Sequence, residues 1–244
     1  VDEVGRGCLF GAVVAAAVVL DPEKPIRGLN DSKVLEAADR ERLAEQIKAR
    51  SLAWAYGAAD AFEIDQINIY QASRLAMRRA VEALPFQPDY LLVDALKLDL
   101  AIEQLPLIGG DARCRAIAAA SILAKVHRDA SLAMWHQVFP QYNLLSNKGY
   151  STPDHRRALL AHGPTWLHRF SFGPVRAASP QNHWNGYLNQ EFEKPGNGSA
   201  KPLGQAPKFP PRESVCLGRD GGAEIGSASR VSLLSGDREG AAAP

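Results

Sequence analysis

Asp2 and Glu3 stand side by side at the start of the chain, Asp94 closes an apolar run, and Asp129 lies in an alanine-rich stretch. Four carboxylates brought together from three segments could hold divalent metal ions. Magnesium takes oxygen ligands, keeps several waters and requires neither His nor Cys. Two such ions, about 3.5–4 Å apart, can activate a water and neutralise a leaving oxygen, as phosphodiester hydrolysis requires. Repulsion among clustered carboxylates disfavours the closed site without metal and so favours metal binding.

Each residue also has a plainer reading. An Asp-Glu pair before a turn is common on surfaces. On a regular strand the two side chains point to opposite faces, so they share one site only at a strand end or a distortion. Gly5-Arg6-Gly7 allows such a departure, lets backbone approach a substrate closely, and offers Arg6 to a phosphate. Asp94 sits where ligands bind in open α/β sheets, yet it could simply cap its own loop. Ser121, Lys125 and Asp129 are spaced four apart and share a helix face. There Lys125 and Asp129 could form only a solvated ion pair. Against that stand Ala118, Ala119, Ala120 and Ala124, whose small side chains allow the helix to pack closely on a sheet. Lys148-Gly149-Tyr150 offers an aromatic ring for stacking on a sugar or base. The histidines from His127 to His168 fit neither zinc spacing nor a nucleophile triad and read as surface or structural groups.

The elements that must carry these residues can be read from periodicity. Val13 to Leu20 is a buried strand closed by Asp21-Pro22. It continues a hairpin that begins before Val1, so native sequence is expected upstream. Leu29 to Lys33 is a loop. Glu36 to Arg50 has helical periodicity, Ser51 to Ala59 alternates like a strand, and Glu63 to Leu84 is a long helix ending before Pro85. Tyr90 to Asp94 is a short strand. Asp111 is placed as a helix cap ahead of a helix from Ile117 to about Val138, and Thr152-Pro153 opens another. Strands alternating with helices predict an α/β fold with a mixed central sheet.

The chain has 244 residues, 46% of them hydrophobic, enough for one domain with a sizeable core. The longest apolar run, Ala12 to Leu20, is too short to span a membrane. Three widely spaced cysteines, Cys8, Cys114 and Cys216, give neither a disulfide framework nor a zinc site, and point to a reducing cytoplasm. Net charge is only +1, but from Arg113 to Arg176 there are nine Lys or Arg against two acids. That excess suits a polyanionic substrate approaching carboxylates, or equally a solvated surface. Residues 195–244 are dense in Gly, Pro, Ser and Ala without sustained periodicity, which predicts disorder for a tail spanning 177–244.

Taken together the motifs closely resemble bacterial ribonuclease HII. The matching pieces are VDEVGRG at 1–7, NDSKVL at 30–35, EIDQINIYQASRLAM at 63–77 and LLVDALKL at 91–98. They continue with GDARCRAIAAASILAKVHRD at 110–129, NKGYSTPDH at 147–155 and HRFSF at 168–172. The resemblance covers residues 1 to about 176. It implies a ribonuclease H-like fold, a mixed central sheet flanked by helices with a small helical C-terminal part. It implies endonucleolytic cleavage of RNA in RNA–DNA hybrids and at single ribonucleotides embedded in DNA, leaving 3′-hydroxyl and 5′-phosphate ends. The implied cofactor is Mg2+ or Mn2+, two ions during catalysis, held by Asp2, Glu3, Asp94 and Asp129. Gly5, Arg6, Gly7 and Tyr150 would recognise the ribonucleotide and its junction with DNA, with Lys33, Lys125 and Lys148 also on the substrate. The expected state is a monomer with no membrane partner. Arg6 and Asp129 favour this type over ribonuclease HIII.

Four positions depart from the family pattern. Cys8 replaces a proline, Phe10 a small residue, Gly109 a lysine and Asn147 a histidine. The acidic set is intact, so activity is expected, while the lost basic groups could weaken substrate binding. Two other readings remain open at this stage: a catalytically inactive hybrid-binding protein, and another nuclease or integrase of the ribonuclease H-like superfamily.

Overall fold

The computed structural model describes residues 1–179. Strands β1 (Asp2–Val4), β2 (Val13–Val19) and β3 (Ala53–Ala59) form an antiparallel ladder in that order, with Asp2 opposite Ala16 and Ala15 opposite Gly57. Strands β4 (Tyr90–Asp94) and β5 (Glu103–Leu107) pair in parallel. Val1 joins the two ladders. Its nitrogen donates to the Leu92 carbonyl at 2.8 Å, and its own carbonyl accepts from Asp94 N at 3.0 Å. That slanted pattern is a parallel pairing, so the sheet runs β3–β2–β1–β4–β5, and it is mixed.

Alternation along β2 assigns the two faces. Val13, Ala15 and Ala17 belong to one core with α2 (Ala61–Glu82), while Ala16 and Val18 belong to the other with α1 (Ala37–Arg50) and α4 (Arg115–Val138). Small residues bring the layers close. A side chain at Gly57 would overlap the α2 backbone at Ala76 and Ala80. Ala118, Ala119, Ala120 and Ala124 are buried where α4 lies on the sheet.

A third cluster joins the far half of α4 to the C-terminal helical part, through Leu132, Tyr142, Leu144, Leu159, Phe170 and Val175. That part contains α5 (Leu144–Asn147), α6 (Pro153–His162) and α7 (Gly173–Ala178). Asp65 on α2 ties it down, accepting from Phe170 N and Ser171 N, each at 2.8 Å.

Several expectations need adjusting. The long helix predicted over 63–84 starts at Ala61 under a capping box between Asp60 and Glu63, and breaks at Asn68, where φ is 67°. The Asn68 carboxamide oxygen accepts from Tyr70 N and Gln71 N and so restarts the helix as a cap. Asp111 does not cap α4. It is buried within the short helix α3 (Gly110–Arg113) and accepts from Lys33 Nζ at 2.9 Å. Thr152 does cap α6, receiving His155 N. Strand β5 has no counterpart in the sequence reading. The change in composition near 176 falls inside α7, and the tail beyond 179 lies outside the described residues. No described helix is long and apolar enough to cross a membrane.

Candidate active site

β1 and β4 run side by side, with Asp2 and Glu3 opening β1 and Asp94 closing β4. These three side chains each offer an oxygen within 4.8 Å of the others. The strand register explains how neighbours on one strand can share a site. Asp2 faces α4, whereas Glu3 starts towards the opposite face. β4 ends at Asp94 and turns away at Ala95, whose φ is 51°. Beyond that point Glu3 has β2 on one side and no strand on its β4 side, and its longer side chain can reach round that margin.

Hydrogen bonds hold each carboxylate. Asp2 Oδ1 accepts from Glu3 N at 2.7 Å, and the nearby Ser121 side chain on α4 favours its charged form. Ser121 in turn meets the buried Ser32 hydroxyl at 2.9 Å. Asp94 Oδ1 accepts from Gly110 N at 2.8 Å. Glu3 Oε1 pairs with Arg6 Nη1 at 3.2 Å, while Glu3 Oε2 is buried with no hydrogen-bond partner among the described residues. A buried carboxylate oxygen without a donor is costly, and a cation would satisfy it.

The electrostatics agree. Burial, then the charges of Glu3 and Asp94, push the Asp2 carboxyl up to about 8. Burial also raises Glu3, with Arg6 opposing. This is a site short of positive charge, and hard oxygen donors at this spacing suit Mg2+ or Mn2+.

Asp129 stands apart from the group of three. Its Oδ1 accepts from Lys125 Nζ at 2.7 Å, one helical turn back, and both side chains are partly buried. Lys125 is therefore engaged by Asp129 rather than held free. Lys33 is likewise held, between Asp31 and Asp111.

The glycine–arginine turn and the tyrosine loop are built against each other. Cys8 and Tyr150 form an antiparallel bridge, as do Phe10 and His168, so residues 8–10 lie between the two segments. Leu9 N donates to Gly149 O at 2.7 Å, and Arg169 N to Leu9 O at 2.9 Å. Gly7 faces the Tyr150 ring, and Tyr150 is 42% exposed. Lys148 is half-buried, with Arg6 exposed.

Two buried arginines organise this arrangement. Arg128 donates to the carbonyls of Phe10 at 3.1 Å and Lys148 at 3.0 Å. Arg169 donates to Gly11 O at 2.9 Å and Arg6 O at 2.8 Å. Both count among the nine basic residues read as either substrate-facing or solvated, yet they are buried and bond backbone instead. No spacing rule marks them; the nearest signal is the adjacency of Arg128 to Asp129.

The departures fit locally. Cys8 N donates to Gly5 O at 3.4 Å, a bond proline cannot make. Phe10 is fully buried between Phe139 and His168. Asn147 is buried too, donating to Tyr142 O and accepting from Gly149 N, so it shapes the loop from within.

Comparison with known proteins follows the same lines. The family model for ribonuclease HII matches residues 1–175. The ribonuclease HII of Solibacter usitatus (strain Ellin6076) is 62% identical over 185 residues, covering 75% of this chain and 81% of that protein. The ribonuclease HII of Koribacter versatilis (strain Ellin345) is 58% identical over 182 residues, covering 74% and 72%. Among solved structures, the ribonuclease H2 of Pyrococcus horikoshii OT3 superposes with a TM-score of 0.61 at 23% identity, covering 77% of this chain and 97% of that one.

Proposed function

Since the chain belongs to the ribonuclease HII family and is a ribonuclease H, we propose that it cleaves both RNA–DNA hybrids and single ribonucleotides embedded in duplex DNA, using two divalent ions. The observation that carries the metal reading is the group of Asp2, Glu3 and Asp94 within 4.8 Å, with Glu3 Oε2 buried and unpartnered. Asp2, Glu3 and Asp94 would hold Mg2+ or Mn2+, with Asp129 completing the set on leaving Lys125. Bound ions supply an activated water and neutralise the departing oxygen.

The chain's own residues do the rest. Gly5-Arg6-Gly7 brings backbone and a guanidinium beside the carboxylates, where Arg6 can turn from Glu3 to a phosphate. Tyr150, on Gly7, stacks on the sugar or base at the junction. The 2′-hydroxyl is what separates RNA from DNA at such a place. Water adds to phosphorus and the P–O3′ bond breaks, so the upstream strand keeps a 3′-hydroxyl and the downstream strand a 5′-phosphate.

The test is incubation with Mg2+ or Mn2+ and three duplexes: all DNA, DNA with one ribonucleotide, and a continuous hybrid. Cleavage on the 5′ side of the lone ribonucleotide, with 5′-phosphate on the downstream product, is expected. Binding without cleavage, or cleavage of the all-DNA duplex, would overturn the reading.

A further inference from the structure

His155 and His168 are fully buried, and their Nε2 atoms meet at 3.2 Å. Neither belongs to the acidic site. What lies at the outer ends of the pair fixes the protons. At one end His168 Nδ1 accepts from Thr165 N at 2.9 Å, and a backbone amide can only donate. At the other end His155 Nδ1 lies 2.9 Å from the Tyr150 carbonyl, which can only accept. A neutral imidazole carries one proton. His168 must therefore carry its proton on Nε2 and His155 on Nδ1. The central contact then has one direction, from His168 Nε2–H to the bare His155 Nε2. A second proton on either ring would leave two donors facing each other or facing an amide N–H.

We propose that His155 and His168 form a directional hydrogen-bond relay, from Thr165 N–H to the Tyr150 carbonyl, that positions Tyr150 for reading the ribonucleotide. The proposal rests on the role given to Tyr150 above. The loop needs such an anchor. Lys148 has a φ of 49°, uncommon for a residue with a side chain, and Gly149 one of 79°. Its carbonyls are tethered in series: Lys148 O by Arg128, Gly149 O by Leu9 N, and Tyr150 O by His155 and by Thr152 N at 2.8 Å. His155 can reach back because Thr152 caps α6 directly after the loop. His168 is pinned in turn by the edge contacts of Phe10 and Tyr142, at centroid distances of 4.9 and 4.8 Å. Phe10 follows the glycine–arginine turn closely, so the relay sets the tyrosine loop against that turn. Both histidines are positioning residues.

Two measurements test this. Long-range 1H–15N spectra of the full chain near neutral pH should show His155 protonated on Nδ1 and His168 on Nε2. Both rings protonated on Nε2 would overturn the relay, whatever any variant does. Single-turnover rates on a lone-ribonucleotide duplex and on a continuous hybrid then test its purpose. His168→Phe keeps the ring and removes the donor. It should slow junction cleavage about 10-fold more than hybrid cleavage, with no further change of that ratio when combined with Tyr150→Ala. Equal losses on both substrates would mean that the rings only support the fold, and would overturn the positioning role. Tyr150→Ala alone separates the two ideas. If it leaves the ratio unchanged, the role of Tyr150 fails and the relay's purpose falls with it. If it shifts the ratio and His168→Phe does not, the relay proposal fails alone.

Discussion

Arg128 occupies the space that a side chain at Gly5 would fill. A Cβ built at Gly5 would overlap the Arg128 guanidinium, and the Gly5 backbone has a φ of +93°. One residue on α4 thus braces the turn beside the carboxylates, while its neighbour Asp129 is the acid proposed to complete the set.

Gly5→Ala is therefore expected to cost stability twice, through the left-handed backbone and through displacement of Arg128. Together these amount to about 1–3 kcal/mol, and cleavage should fall because the turn and the Tyr150 loop both hang on Arg128. Denaturant unfolding of the variant checks the first part. An unfolding midpoint equal to wild type would show that Arg128 yields freely.

The burial of Asp2 predicts a pH dependence in metal-free protein. Its carboxyl lies at about 8 in the folded chain against an ordinary value of 3.8. A raised carboxyl pKa means that this residue's contribution is fully present below about pH 4 and is lost as pH rises towards 8. Asp2→Asn cannot ionise. At pH 8 without metal it should melt higher than wild type by at least ~2–4 °C, the shift expected for about 1 kcal/mol in a chain of this size. At pH 4 the two should converge. Magnesium should raise wild type more than the variant, since binding to the folded state alone stabilises it. Parallel melting curves at both pH values would contradict the assignment.

Asp129→Asn should abolish metal-dependent turnover with little effect on folding. Its partner Lys125 is only partly buried, and such pairs contribute up to about 1 kcal/mol. Unfolding by urea, measured beside the cleavage rate, separates the effects. Full activity would remove Asp129 from the site.

How much of this was legible beforehand differs by element. Strand β2 and helix α4 were visible because buried Val and Ala runs have unambiguous length and periodicity. β5 was not, because Glu103–Leu107 lies at the sheet edge and contains Pro106, which edge strands tolerate and propensity penalises. The break at Asn68 was hidden by helical periodicity continuing on both sides of it. For the site, Asp2, Glu3 and Asp94 were readable from type and motif. Their convergence at 4.8 Å depends on β4 lying beside β1, a long-range pairing no local pattern reveals. The buried arginines were misjudged for the same reason: charge counts carry no information on burial. The two histidines read as structural, but their shared contact and its link to Tyr150 required the fold.

Asp94, with Asp2 and Glu3, is proposed to hold the ion that drives cleavage. The most direct measurement is the single-turnover rate of Mg2+-dependent cleavage of a lone-ribonucleotide duplex by Asp94→Asn. The amide oxygen can still accept from Gly110 N, so the loop should keep its shape while the negative charge is lost. A drop of about 10²–10³-fold or more, typical of removing one key electrostatic contact, is the predicted result. A rate within error of wild type at the same Mg2+ concentration would contradict it.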